Sequence, residues 1–279
     1  MEVAAAKSGA VGGSVARASD SPPDVMAAGA GAAEADLADM PLAAALRAAT
    51  SDWHRRAERS VLVQGWLLGR VDAYSYLRYL SSLRLVYAAI ESGLARWPVA
   101  GVADIDDAGH RAVRADLARA DWRGFFDLRV LARLAAVDAD LESWRRWLSD
   151  PLADIQPAAA ARSLAGRIDS LVRSGDDARL LAHAYVRYLG DLSGGALLAV
   201  RLAAAGAPVD GLGLYRFGDA PDAAARAACA RAHARSFRDA LDAAGCVLGA
   251  SGRSAVVDEA CQAFAWHASM FEQIARDEP

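Results

Sequence analysis

Residues 184–195 read Ala-Tyr-Val-Arg-Tyr-Leu-Gly-Asp-Leu-Ser-Gly-Gly. No other stretch limits so tightly what this chain can become. The apolar pattern is that of an amphipathic helix and runs on to about residue 204, yet Gly190, Gly194 and Gly195 stand inside it. Each glycine in a helix interior costs roughly 1 kcal/mol relative to alanine. Three in one short stretch is a poor choice for a helix that only packs. Glycine offers instead a backbone that a flat ligand approaches closely, and a place where a helix bends. Asp191 lies among the glycines, one turn after Arg187 and one turn before Gly195. The segment reads as a polar, backbone-exposed surface pressed against something large and planar.

The rest of the chain predicts an all-α protein. Apolar residues recur at three- and four-residue spacing, as in Leu42, Leu46, Ala49 and Trp53, and strand-favouring clusters are scarce. Helices are expected over about 41–58, 72–97, 107–119, 128–149, 157–174, 178–204, 221–244 and 254–277. A break is expected from Gly65 to Arg70, and a glycine-bearing loop at Gly211, Gly213 and Gly218. With 279 residues, 54% of them hydrophobic, the chain suffices for one helical domain over 41–279. Residues 1–40 are rich in alanine and glycine and poor in large apolar side chains, which predicts a disordered tail. No apolar run is long enough for a transmembrane span.

Charge narrows the function classes. The tail carries six acidic residues against Lys7 and Arg17, which accounts for the whole net charge of −4. The remainder is neutral, so nothing favours nucleic acid or an anionic membrane. The acids also argue against an organelle transit peptide and leave a cytoplasmic protein as the expectation, organelle import being the other possibility. Cys229, Cys246 and Cys261 form no paired motif and read as reduced thiols.

Several side chains carry chemistry by spacing. His54 has Arg47 two turns before it and Glu58 one turn after it on one helical face. A neutral imidazole ligates metals, and its second nitrogen needs an acceptor, which Glu58 supplies. An ordinary charged surface explains these residues equally well. His183, Arg187, Asp191 and Gly195 form a second stripe, which reads either as an exposed salt-bridged face or as part of a site. Tyr185 and Tyr188 fall on different sides of that helix. Tyr87 fits a core position, Phe264 and Phe271 a core stripe, and His267 between them a satisfied core histidine.

These residues together resemble a known family. Residues 184–195 are similar to the distal-helix signature of the biliverdin-producing heme oxygenases. Leu46-Arg47-Ala48-Ala49-Thr50 with His54 and Glu58 resembles that family's proximal helix. The resemblance extends over most of 41–277. It implies heme held between a proximal and a kinked distal helix, as cofactor and substrate, with His54 as the axial ligand of the iron. Gly190, Ser193, Gly194 and Gly195 would lie along the macrocycle and crowd O2 toward one meso carbon. Asp191 would hold a water that donates to the bound oxygen, with Arg187 and Tyr87 in the network behind it. Arg47, Tyr185 and Arg238 match positions that anchor the heme propionates.

The implied reaction is oxidative cleavage of heme to biliverdin, CO and ferrous iron with O2. Electrons would come from a ferredoxin, flavodoxin or flavin reductase. Some positions depart from the family's pattern. Ala234 stands where many members have a second basic residue, with Arg235 beside it. His267 stands where animal members often have asparagine. The 157–180 stretch lacks a tyrosine that some members place in the water network. The membrane tail of animal members is absent, which implies a soluble form. Two other readings of the residues are a heme-binding storage, transport or sensor protein without turnover, and a di-iron oxidase. Against the second, no good Glu-x-x-His pair is present.

Overall fold

Local sequence explains where the helices stop. The structure is a computed structural model that describes residues 40–98, 121–148, 154–218 and 222–276. The tail before Met40 and the helix expected over 107–119 lie outside the described residues. Among the described residues the elements are helices, with no strands.

The helix expected over 41–58 is two helices, α1 (Leu42–Ala49) and α2 (Ser51–Glu58). Thr50 makes the joint at φ −95° and ψ 4°, with its hydroxyl donating to the Leu46 carbonyl at 2.7 Å. That side-chain bond competes with the backbone ladder and turns the chain. α1 buries Leu42, Ala45 and Leu46. α2 buries Trp53 and leaves His54, Arg55, Arg56 and Glu58 exposed. Ser60 then caps α3 (Val61–Leu67), accepting from the Val63 amide at 3.3 Å. This helix runs through Gly65, where a break was expected. The single glycine is tolerated inside a capped turn, and the chain reverses instead at Gly69, whose φ is +75°.

α4 (Ala73–Leu94) is the central helix, with Asp72 capping it through the Ser75 amide at 2.7 Å. It packs against helices that follow it later in the chain. The helix expected over 128–149 is split into α5 (Leu128–Leu131) and α6 (Leu134–Arg145). The split is imposed from outside: Oε1 of Glu91 on α4 accepts from the amides of Arg133 and Leu134 at 2.6 and 3.0 Å. α7 (Ala159–Ser174) ends at Gly175 in the left-handed conformation, φ +69°, close to where its sequence predicts.

The glycine-bearing stretch is α8 (Asp177–Ala184), a π-helical turn (Tyr185–Leu189) and α9 (Gly190–Ala204). The glycines themselves are regularly helical, Gly190 having φ −60° and ψ −49°. The departure from α geometry comes just before them, where π turns often mark functional sites. α10 (Ala223–Arg276) is two helical halves joined at Gly249, whose φ of +63° and ψ of 179° no helix accommodates. The non-helical gap expected over 245–253 shrinks to that residue. α10 is the spine of the fold. It packs on α1, α2, α3, α7, α8 and α9, and so holds both glycine helix and histidine helix in place.

Candidate functional site

The first histidine stripe stands open. His54 and Glu58 side chains are 56% and 60% exposed, and His54 Nδ1 lies 3.5 Å from Glu58 Oε1. That carboxylate is placed to accept from Nδ1, the kind of contact that orients a metal-ligating imidazole. The imidazole stands edge-on to Phe264 of α10, ring centres 6.1 Å apart. Phe264 and Phe271 are both buried, as a core stripe requires.

Thr50 connects this helix to the other wall. Its hydroxyl is 3.1 Å from the Tyr185 hydroxyl at the start of the π turn. Burial pushes the Tyr185 phenol up, and Arg238 and Arg47 both pull it the other way. Both cations therefore act on the phenol, Arg47 from α1 and Arg238 from α10. Arg47 is exposed and pairs with no carboxylate among the described residues. Arg238 is also exposed and donates weakly, at 3.5 Å, to the Ser193 hydroxyl. Thr50 carried no signal in the sequence beyond lying one turn before His54.

The glycines divide by what a side chain would meet. A methyl group on Gly195 would lie 2.9 Å from Cδ1 of buried Tyr215, so packing demands glycine there. At Gly190 and Gly194 an added methyl would meet nothing within 4 Å. Both are exposed, four residues apart, with Ser193 exposed beside them. Packing among the described residues gives no reason for glycine at these two positions. A flat group lying against the helix does.

Beneath that face the polar stripe is buried, which rules out the exposed salt-bridged reading. His183, Arg187 and Asp191 are 1%, 7% and 6% exposed. Arg187 Nη2 donates to Asp191 Oδ1 at 2.7 Å and lies 3.2 Å from the Tyr87 hydroxyl. Tyr87 donates to the other carboxylate oxygen of Asp191. Tyr87 is fully buried, so it is both core and network. Burial pushes the Asp191 carboxyl well above the ordinary range. The Arg187 guanidinium and the Tyr87 hydroxyl, both donating to the carboxylate, act against that burial. Tyr188 points into the core against Tyr87, ring centres 5.8 Å apart. His267 is buried as expected but not satisfied: its Nδ1, like Arg187 Nε, meets no hydrogen-bond partner among the described residues.

The family's sequence pattern, described as heme oxygenase, matches residues 40–105 and 110–273. The chain belongs to the heme oxygenase family. The heme oxygenase of Pyropia yezoensis is 33% identical over 157 residues, which is 56% of each protein. That of Guillardia theta is 30% identical over 84% of this chain and 86% of its own length. Among solved structures, heme oxygenase-1 of the cyanobacterium Synechocystis, in complex with heme, superposes with a TM-score of 0.62 at 26% identity. It covers 85% of this chain and 94% of that one. The all-α fold is that of heme oxygenases, and no helix among the described residues is long and apolar enough to cross a membrane.

Proposed function

We propose that this heme oxygenase binds heme in the groove between α2 and α9 and cleaves it to biliverdin, CO and ferrous iron. Heme, when bound, supplies the iron that activates O2 and is itself the substrate. One observation carries the reading: Gly190 and Gly194 present a bare backbone that none of the described residues fills. The other residues fit the same occupant. His54 offers Nε2 to the iron while Glu58 holds the opposite ring nitrogen. Arg47, Tyr185 and Arg238 are placed to hold the carboxylates of the heme edge, and charge-assisted bonds there set its in-plane rotation. Gly190, Ser193 and Gly194 form the opposite wall, with Gly195 behind them against Tyr215.

Asp191 would hold an ordered water that donates at the O2 site, with Arg187 and Tyr87 behind it. Tyr87 and Arg187 fix both its oxygens, and burial favours its protonated form. This arrangement separates the oxygenase from a carrier, since heme storage has no use for a buried carboxyl behind a bare helix face. Electrons come from a separate donor, a ferredoxin, flavodoxin or flavin reductase, because no dinucleotide-binding glycine motif follows a strand in the sequence. O2 is the co-substrate, and we assign the protein to the cytoplasm.

Asp191→Asn tests the assignment. The variant should bind hemin with an unchanged Soret band and lose at least about tenfold in biliverdin formation. An unchanged biliverdin yield would remove Asp191 from the chemistry.

A further inference from the structure

Among the described residues, a row of touching rings leads from the back of the glycine helix to the surface. Tyr215 packs against Gly195 of α9, where an added methyl would lie 2.9 Å from its Cδ1. Its hydroxyl accepts from that of Tyr76 on α4 at 3.2 Å. The Tyr76 ring stands 4.4 Å, centre to centre, from that of Trp144 on α6. Trp144 in turn stands 5.9 Å from Trp147, just past the end of that helix. Tyr76, Trp144 and Tyr215 are buried, whereas Trp147 is 53% exposed. Another row runs from Tyr87 through Tyr188, Phe237 and Phe126 to Trp97. Two phenylalanines interrupt it, and its last ring is buried.

Polar contacts fix the first row in place. Asp140, one turn before Trp144, accepts from the amides of Gly213 and Leu214 at 2.7 and 2.8 Å, and so holds the turn that carries Tyr215. Trp144 Nε1 donates to the Gly211 carbonyl at 2.8 Å. A methyl on Gly211 would lie 2.7 Å from that indole, so the loop closes on it without slack. Core packing accounts for the three buried rings. It does not account for an indole left half in water at the end of the row.

Indole and phenol rings give up one electron to a strong oxidant, and a phenyl ring resists. Burial holds the Tyr76 and Tyr215 phenols well above the ordinary range, so they keep their protons. An oxidised phenol that keeps its proton is unstable, and the positive charge therefore settles on the indoles, with the tyrosines as the bridge.

We infer that Tyr215, Tyr76, Trp144 and Trp147 form a line that carries an oxidising equivalent from the heme to the surface and discharges it at Trp147. The inference rests on the heme-binding reading proposed above. The oxidant is a peroxide, formed when reduction of O2 stops at two electrons. Its reduction at the heme to two waters takes two electrons, and two protons from solvent. Trp144 supplies the electrons one at a time across Tyr76 and Tyr215, and Trp147 refills Trp144 after each. Oxidised Trp147 releases its indole proton to water. A soluble one-electron reductant, such as ascorbate, returns that electron and proton together. Where no reductant is present, the Trp147 radical combines with O2 and the oxygen stays on the ring.

The test treats hemin-loaded protein with hydrogen peroxide in the absence of reductant and maps oxidised tryptophans by peptide mass spectrometry. Oxygen should appear on Trp147 in the loaded protein and be absent from heme-free protein given the same peroxide. Trp144→Phe should lose most of the oxygen at residue 147. Trp147→Phe changes only a surface ring and should keep the Soret band and the biliverdin yield, with the oxygen now found on Trp144. Equal oxidation of Trp147 with and without hemin would overturn the line, because exposure alone would then explain it. So would an unchanged yield at Trp147 in Trp144→Phe. If Trp144→Phe fails to fold, Trp147→Phe decides by itself, and no oxygen on Trp144 overturns the line. A wild-type protein that leaves the Soret band of hemin unshifted would overturn the heme-binding reading, and the line with it. A shifted band without biliverdin would fail the oxygenase reading alone, and the oxygen on Trp147 would still decide the line.

Discussion

Glu259 shows how a single buried carboxylate is held in this protein. Burial alone pushes it up, but His183 and Arg167 outweigh that cost, and its pKa falls from 4.5 to about 2. The sign follows from linkage: a carboxyl depressed in the folded state stabilises the fold above about pH 4.5, and that contribution is lost as pH falls toward 2. Its size is on the order of 2 kcal/mol once the exposure of Arg167 is allowed for. Glu259→Gln should therefore lower stability in urea unfolding at pH 7, with the deficit shrinking to under about half of that near pH 3. An equal deficit at both pH values would mean that the ion cluster contributes nothing. Nothing in the sequence marks Glu259, because its partners Arg167 and His183 are 92 and 76 residues away. His54 is different. Glu58 follows it by one turn on the same helix, so the pair was readable from spacing, although the charged surroundings fitted an ordinary surface as well. What raised one reading over the other was the resemblance of the two helices to known ones.

At the scale of the element, the glycine helix separates two demands that a sequence merges. Gly195 answers to Tyr215, whereas Gly190 and Gly194 answer to nothing in the protein. Gly194→Ala should therefore stabilise the heme-free protein by up to about 1 kcal/mol, through helix propensity, and weaken hemin binding. Gly195→Ala should destabilise it by about 1–3 kcal/mol, because the Tyr215 ring has no room to yield. Urea unfolding with hemin titration checks both, and the reverse order would break the argument. The glycines were legible as an anomaly, but their division was not, since Tyr215 lies twenty residues further on. Helix ends were legible where a local residue makes them, as at Gly175. They were not where a distant side chain does, as Glu91 does between α5 and α6. The joint at Thr50 was also missed, because one hydroxyl bond to Leu46 leaves the apolar period intact.

At the scale of the molecule, the proposed site draws on three distant stretches, residues 47–58, 185–195 and 238, which α10 brings together by packing on both helices. Neither wall binds a flat ligand by itself: α2 offers a histidine, α9 a bare backbone, and the cations of the edge come from α1 and α10. Occupancy should therefore stabilise the whole fold, by about 2.7 kcal/mol at a hundredfold excess of hemin over its Kd. The all-α class followed from sequence, and the histidine and glycine walls proposed above were read there too. The row of rings ending at Trp147 was not, since Tyr76, Trp144 and Tyr215 share no motif and only packing joins them. The most direct test of the account is to add hemin to wild type and to His54→Ala, record the visible spectrum, and then supply ascorbate in air. The account predicts a sharp Soret band in the wild type that decays as a broad red biliverdin band grows. In His54→Ala it predicts a weakened, shifted Soret band and no biliverdin. A stable Soret band in the wild type, or identical behaviour of the two proteins, would contradict it.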